Sequence, residues 1–304
     1  MRAAQLGLVD TRGVSGATIT HEEAALVFRA GLASHARAIA CIAVTGDDGK
    51  LLSKGSAVLA KSGSRHVIVT ASHVVRESRV GETKLLLVPL APSLGEAVPP
   101  DEFSFSLADP LVDATEFDLA VLEAPPALVE SPGVIWLDIE AHAKIAAWLR
   151  TNLKHYDADH ATLPIFVLGF PNFGHVVDAE RFQETLSAIP FPAWVSHIDP
   201  VAWDGNKPPG AYPQVGLTFP TRRREDIALS AREESLQAKL FDGEDRRETA
   251  FGGYSGGPIL LGGRNGLFWI ANVKEGGPMF GDTATFATAT DDILTLLRSA
   301  GLAE

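Results

Sequence analysis

The stretch Gly253-Tyr254-Ser255-Gly256-Gly257-Pro258, which runs into Ile259-Leu260-Leu261, constrains this chain more than any other feature. Glycines on both sides of a serine permit a tight turn with backbone dihedrals that other residues avoid. Such a turn lets the amides of Gly253 and Ser255 converge beside the hydroxyl, where they can hold the oxygen that becomes negative when an acyl carbon is attacked. Pro258 and the apolar residues after it predict a strand here, not a helix.

A serine hydroxyl is a poor nucleophile at neutral pH and needs a base, which in turn needs an orienting group. Both have candidates upstream. Residues 66–71 (His66-Val67-Ile68-Val69-Thr70-Ala71) predict a buried β-branched strand, with His73 just past its end. Asp118 opens a second apolar strand, Leu119-Ala120-Val121-Leu122. Each residue also has an ordinary alternative: a turn serine, a satisfied histidine at a strand end, a carboxylate capping a strand. The order His73, Asp118, Ser255 discriminates between folds. Gly253-x-Ser255-x-Gly257 also satisfies the nucleophile elbow of the α/β-hydrolases, but that fold places its histidine after the serine, and no histidine follows His197. The subtilisin order, Asp then His then Ser, does not fit either.

The order is the one of the chymotrypsin-type triad. On Val69-Thr70-Ala71-Ser72-His73-Val74, Phe117-Asp118-Leu119-Ala120-Val121-Leu122 and Gly253-Tyr254-Ser255-Gly256-Gly257-Pro258, the chain resembles a trypsin-like serine peptidase of compact bacterial type, over residues 36–300. A weaker match is Phe166-Val167-Leu168-Gly169-Phe170-Pro171. The resemblance implies an all-β fold of two six-stranded antiparallel β-barrels, with catalytic His73, Asp118 and Ser255 and an oxyanion hole from the amides of Gly253 and Ser255. It implies a protein or peptide substrate and no cofactor.

Many secreted members place an aspartate just before the serine, to pair with a new N-terminal ammonium after a propeptide is cut. Tyr254 stands there and cannot make that ion pair, so activation of that kind is not expected. The resemblance puts Thr249, six residues before the serine, at the floor of the specificity pocket, where a threonine would not neutralise a basic side chain. Asn272 and Val273, at the end of the strand after the serine, are expected to complete the pocket, which favours small or medium uncharged residues.

Composition limits the other classes. The formal net charge of −12 disfavours nucleic acid and anionic membrane as partners. The basic run Arg222-Arg223-Arg224 is followed at once by Glu225 and Asp226 and reads as a solvated loop. No apolar run reaches the roughly 18 residues a membrane helix needs. The N-terminal residues lack an apolar region of signal-peptide length, and Cys41 has no second cysteine to pair with; a cytoplasmic location is the expectation. His155-Tyr156-Asp157-Ala158-Asp159-His160 holds suitable metal ligands without ligand spacing, so no metal site is expected.

The expected organisation has three parts. Residues 1–35 form an extension with a short helix from a capping box at Thr20 and Glu23. Residues 36–126 form the first barrel, and residues 127–304 the second. The second carries an amphipathic helix at 141–153, an irregular loop within 199–226, and a C-terminal helix from Asp291 to Ser299. The functional expectation is a serine endopeptidase. The alternatives are a module switched off until a regulatory protein partner binds, or one kept only for binding.

Overall fold

The computed structural model describes residues 35–45, 51–77, 82–87, 101–105, 110–152, 165–170, 176–178, 183–185, 191–194, 214–217, 253–263, 266–279 and 282–304. The helix expected from Thr20, the clusters at 155–160 and 222–224, and Thr249 lie outside these residues.

The described chain is mostly antiparallel β-sheet with a few helices. Its first half holds β1 (Ile39–Thr45), β2 (Leu51–Ser62), β3 (Arg65–Ala71), α1 (Ser72–Glu77), β4 (Glu82–Leu87), β5 (Asp101–Phe105), β6 (Val112–Ala114), β7 (Leu119–Glu123), α2 (Pro126–Val129) and β8 (Leu137–Asp138). These strands form one sheet in the order β5-β4-β1-β2-β3-β7-β6, with β8 added beside β2. The second half holds α3 (Ile139–Asn152), β9 (Ile165–Gly169), β10 (Val176–Asp178), β11 (Gln183–Thr185), β12 (Phe191–Trp194), β13 (Gln214–Leu217), β14 (Pro258–Gly263), β15 (Gly266–Met279), β16 (Asp282–Ala289) and α4 (Thr290–Ser299). Six of its strands form the sheet β12-β9-β14-β15-β16-β13, and β10 and β11 pair with each other.

Two details differ from the expectation of six antiparallel strands per lobe. The first sheet has eight strands, and one pairing is parallel. Residues 134–138 were expected to open the second lobe, yet β8 joins the first sheet. β1 begins at Ile39, opposite Val58, so β2 runs on past it. Ala60 and Lys61 then need partners for buried backbone groups, and Leu137 and Asp138 supply them. The segment expected as an irregular loop within 199–226 contains β13, which pairs with residues 283–286 of β16.

β1, β3 and β7 carry continuous apolar runs at 39–44, 67–69 and 119–122, where both faces of the sheet are covered. Ala40, Ile42, Leu59, Ile68, Leu85 and Leu122 face one core, closed by Val74 and Val75 of α1 and Leu128 of α2. Cys41, Val58, Val67, Val69, Leu86 and Val121 face a second. That second core also contains Phe170, Leu260 and Trp269 of the other half, Ala143 of α3, and Ile293, Leu294 and Leu297 of α4. The two halves are thus joined through shared apolar burial, each large side chain contributing about 1.5–3 kcal/mol. Arg150, in the last turn of α3, bonds Asp291 Oδ1 at 3.0 Å and Asp292 Oδ2 at 2.7 Å in the first turn of α4. A cation at one helix C-terminus and carboxylates at another N-terminus suit both helix dipoles.

Candidate active site

β3 is buried along residues 67–71 and ends in the short helix α1, whose second residue is His73. Asp118 arrives from the opposite direction. A 3₁₀ turn over Thr115–Phe117 leads into Asp118, which takes left-handed dihedrals of φ 46° and ψ 45°. Aspartate tolerates this region better than most residues. Its amide donates to Thr115 O at 3.1 Å, and its carbonyl accepts from the Ser72 amide at 3.0 Å. The turn reverses the chain into β7 and aims the carboxylate at α1. Asp118 Oδ1 accepts from the His73 amide at 2.9 Å, and Oδ2 lies 2.7 Å from His73 Nδ1. An ionised carboxylate only accepts, so Nδ1 carries the proton and Nε2 is left as the acceptor. The imidazole side chain is 42% exposed and the carboxylate 13%. The imidazole is thus the more exposed member of the pair and the carboxylate the more shielded one. The Ser72 hydroxyl donates to the Asp113 carboxylate, which Arg76 also approaches at 3.7 Å, so α1 is tied to β6.

Ser255 sits at the start of a turn closed by the Gly257 amide on Tyr254 O at 2.8 Å. Gly256, third in that turn, has φ 84°, and Gly253 has φ 96°. All five consecutive carbonyls from Gly253 to Gly257 accept a hydrogen bond. Their donors are the Ser56 hydroxyl to Gly253 O at 2.6 Å, Gly257 N to Tyr254 O, Ser56 N to Ser255 O at 2.8 Å, Asn272 Nδ2 to Gly256 O at 3.0 Å, and Val273 N to Gly257 O at 2.8 Å. The Gly256 amide donates to Val273 O at 2.7 Å. None of these bonds takes up the amides of Gly253 and Ser255. The loop is therefore fixed through its carbonyls, with those two N–H groups outside the set.

Close packing ties this loop to the strand that carries His73. A Cβ built on Gly256 would overlap the Ser56 carbonyl oxygen and the Thr70 hydroxyl, and would lie 2.8 Å from the Ala71 nitrogen. Ser255 is thus brought to the end of β3, one residue from a glycine that abuts Ala71, two positions before His73. Tyr254 is fully buried, and burial pushes its phenol well above the ordinary tyrosine value, so it stays neutral.

Asn272 and Val273 lie directly behind the turn. Asn272 Oδ1 accepts from Trp269 Nε1 at 2.6 Å while its amide holds Gly256 O, and both residues are buried. One residue not singled out in the sequence also belongs to this setting, Ser56. Thr70 Oγ1 donates to Ser56 O at 2.7 Å, and the Ser56 hydroxyl accepts from the Phe170 amide at 2.9 Å. The signal in the sequence is a hydroxyl residue directly before the apolar run Ala57-Val58-Leu59-Ala60. Among the described residues, no group of three or more His, Cys, Asp or Glu is placed to hold a metal ion.

No family model matches the sequence, and no curated protein matches it. Among solved structures the chain is similar to the crystal structure of a thermostable serine protease, AL20, from an extremophilic microorganism. The identity is 12% and the TM-score 0.41, over 88% of this chain and 97% of that one.

Proposed function

We propose that this chain is a serine endopeptidase of the trypsin-like type, using His73, Asp118 and Ser255 on two facing β-lobes. The carrying observation is the paired contact of Asp118 with the His73 amide and Nδ1. That pairing selects the tautomer in which Nε2 can accept a proton. In the proposed reaction the Ser255 hydroxyl attacks the peptide carbonyl carbon as Nε2 takes its proton, and Asp118 stabilises the imidazolium. The amides of Gly253 and Ser255 hold the resulting oxyanion. The imidazolium then returns the proton to the leaving amine, and water repeats the sequence on the acyl-enzyme.

The neutral, buried Tyr254 supports a loop that needs no ion pair with a new N-terminus. Thr249, Asn272 and Val273 are proposed to shape specificity toward uncharged side chains. The single cysteine, buried in β1, suits a cytoplasmic setting, because the fold demands no disulfide.

The test is hydrolysis of an unstructured protein such as casein by the purified chain beside Ser255→Ala and His73→Ala. Each substitution is expected to lower kcat/KM by on the order of 10⁴-fold or more. Proteolysis that survives both would overturn the assignment.

A further inference from the structure

Ser56 stands at an unusual crossing. It belongs to β2 in the first sheet and is completely buried, yet it bonds three segments from elsewhere in the chain. Its hydroxyl donates to Gly253 O at 2.6 Å and accepts from the Phe170 amide at 2.9 Å. Its own amide donates to Ser255 O at 2.8 Å, and its carbonyl accepts from Thr70 Oγ1 at 2.7 Å. A hydroxyl has one proton to give, and here it is given to the peptide that follows Gly253. Glycine on its own would let that peptide rotate, because φ on either side of zero is open to it. Two glycines leave room for the Ser56 side chain. A Cβ on Gly169 would lie 2.8 Å from the Ser56 hydroxyl, and one on Gly257 would lie 3.2 Å from its Cβ.

Building on the proposed function, we infer that Ser56 is the positioning residue of the oxyanion loop: its hydroxyl fixes the peptide between Gly253 and Tyr254 and its amide the peptide between Ser255 and Gly256, so that the intervening peptide, which carries the Ser255 N–H, is held between two fixed neighbours. The peptides on either side of the one that carries the Ser255 N–H are gripped by one side chain and one amide of the same residue. Tyr254 cannot perform this task through charge, since it is neutral. The orientation of the loop is therefore built into the fold from the first lobe.

The test compares Ser56→Ala with Thr70→Val in the full chain. Thr70→Val removes an equally buried hydrogen bond to the same residue but leaves the Gly253 carbonyl held, so it controls for a merely structural loss. Steady-state kinetics on a peptide ester are measured for each, with folding checked by near-ultraviolet circular dichroism. Ser56→Ala is expected to lower kcat about 10- to 100-fold, with KM within about twofold, approaching the roughly 10²–10³-fold that loss of one oxyanion donor costs. Thr70→Val is expected to keep kcat within about threefold. Should Ser56→Ala not fold, Ser56→Cys keeps the volume with a weak donor and is expected to show the same selective loss of kcat. An active wild type with an unimpaired Ser56 variant, or the same loss in Thr70→Val, overturns this inference alone. A folded wild type with no activity overturns the functional reading and this inference with it.

Discussion

At the residue scale the site depends on two backbone positions that few side chains could occupy. Asp118 combines left-handed dihedrals with a carboxylate that reaches both the amide and the ring of His73. Asp118→Asn keeps the shape but can turn an amide N–H toward Nδ1, which favours the wrong tautomer. It is predicted to lower kcat by on the order of 10³–10⁴-fold with little change in unfolding midpoint. Gly256 has φ 84° and no room for a methyl group. Gly256→Ala is predicted to abolish activity and to destabilise the fold by at least about 1–3 kcal/mol, measured by urea titration. The three catalytic candidates were legible because their spacing and flanking residues carry information locally. Ser56 was not, because its hydroxyl bonds Gly253, 197 residues away, and a serine in a strand announces no partner.

At the element scale, β15 and α3 meet at Trp269. The Trp269 amide donates to His142 Nδ1 at 3.1 Å. Burial first, then His35, lowers the His142 pKa from 6.5 to about 4, against an opposing pull from Asp138. The unfolded chain takes up the proton near pH 6.5, the folded chain only near pH 4. This histidine therefore contributes stability that is complete above about pH 6.5 and is lost as pH falls toward 4. Unfolding midpoints measured from pH 7 to 4 should fall in the native chain. The part owed to this group should vanish in His142→Gln, whose amide oxygen accepts the same N–H without titrating. On the same strand, the Trp269 indole donates to Asn272, which in turn holds Gly256 O. Trp269→Phe keeps the ring but strands a buried acceptor. A cost of about 1–3 kcal/mol is expected, together with a lower kcat that a remote core substitution of equal cost would not produce. Regular strands such as β3 and β7 were legible from their apolar runs. α2, β10 and β13 were not, because elements of three or four residues are stabilised by the partner they meet and not by their own sequence.

At the scale of the whole molecule, the two sheets share a core that buries one face of the first against β9, β14, β15 and both long helices. The shared core, together with the Ser56 bonds to Gly253 O and Ser255 O, brings Ala71 of one half against Gly256, the neighbour of Ser255, in the other. Apart from β8, the two sheets take their strands from the two runs expected before and after residue 126. The assignment of β8 to the first sheet was not legible, since it follows from the overhang of β2 past β1, a property of register and not of composition. The most direct measurement is reaction of the folded full-length chain with a fluorophosphonate, followed by peptide mass mapping. One equivalent of phosphonate on Ser255, lost in His73→Ala, is the predicted result. A folded chain that takes up no phosphonate, or carries it on another residue, would contradict the catalytic assignment of Ser255.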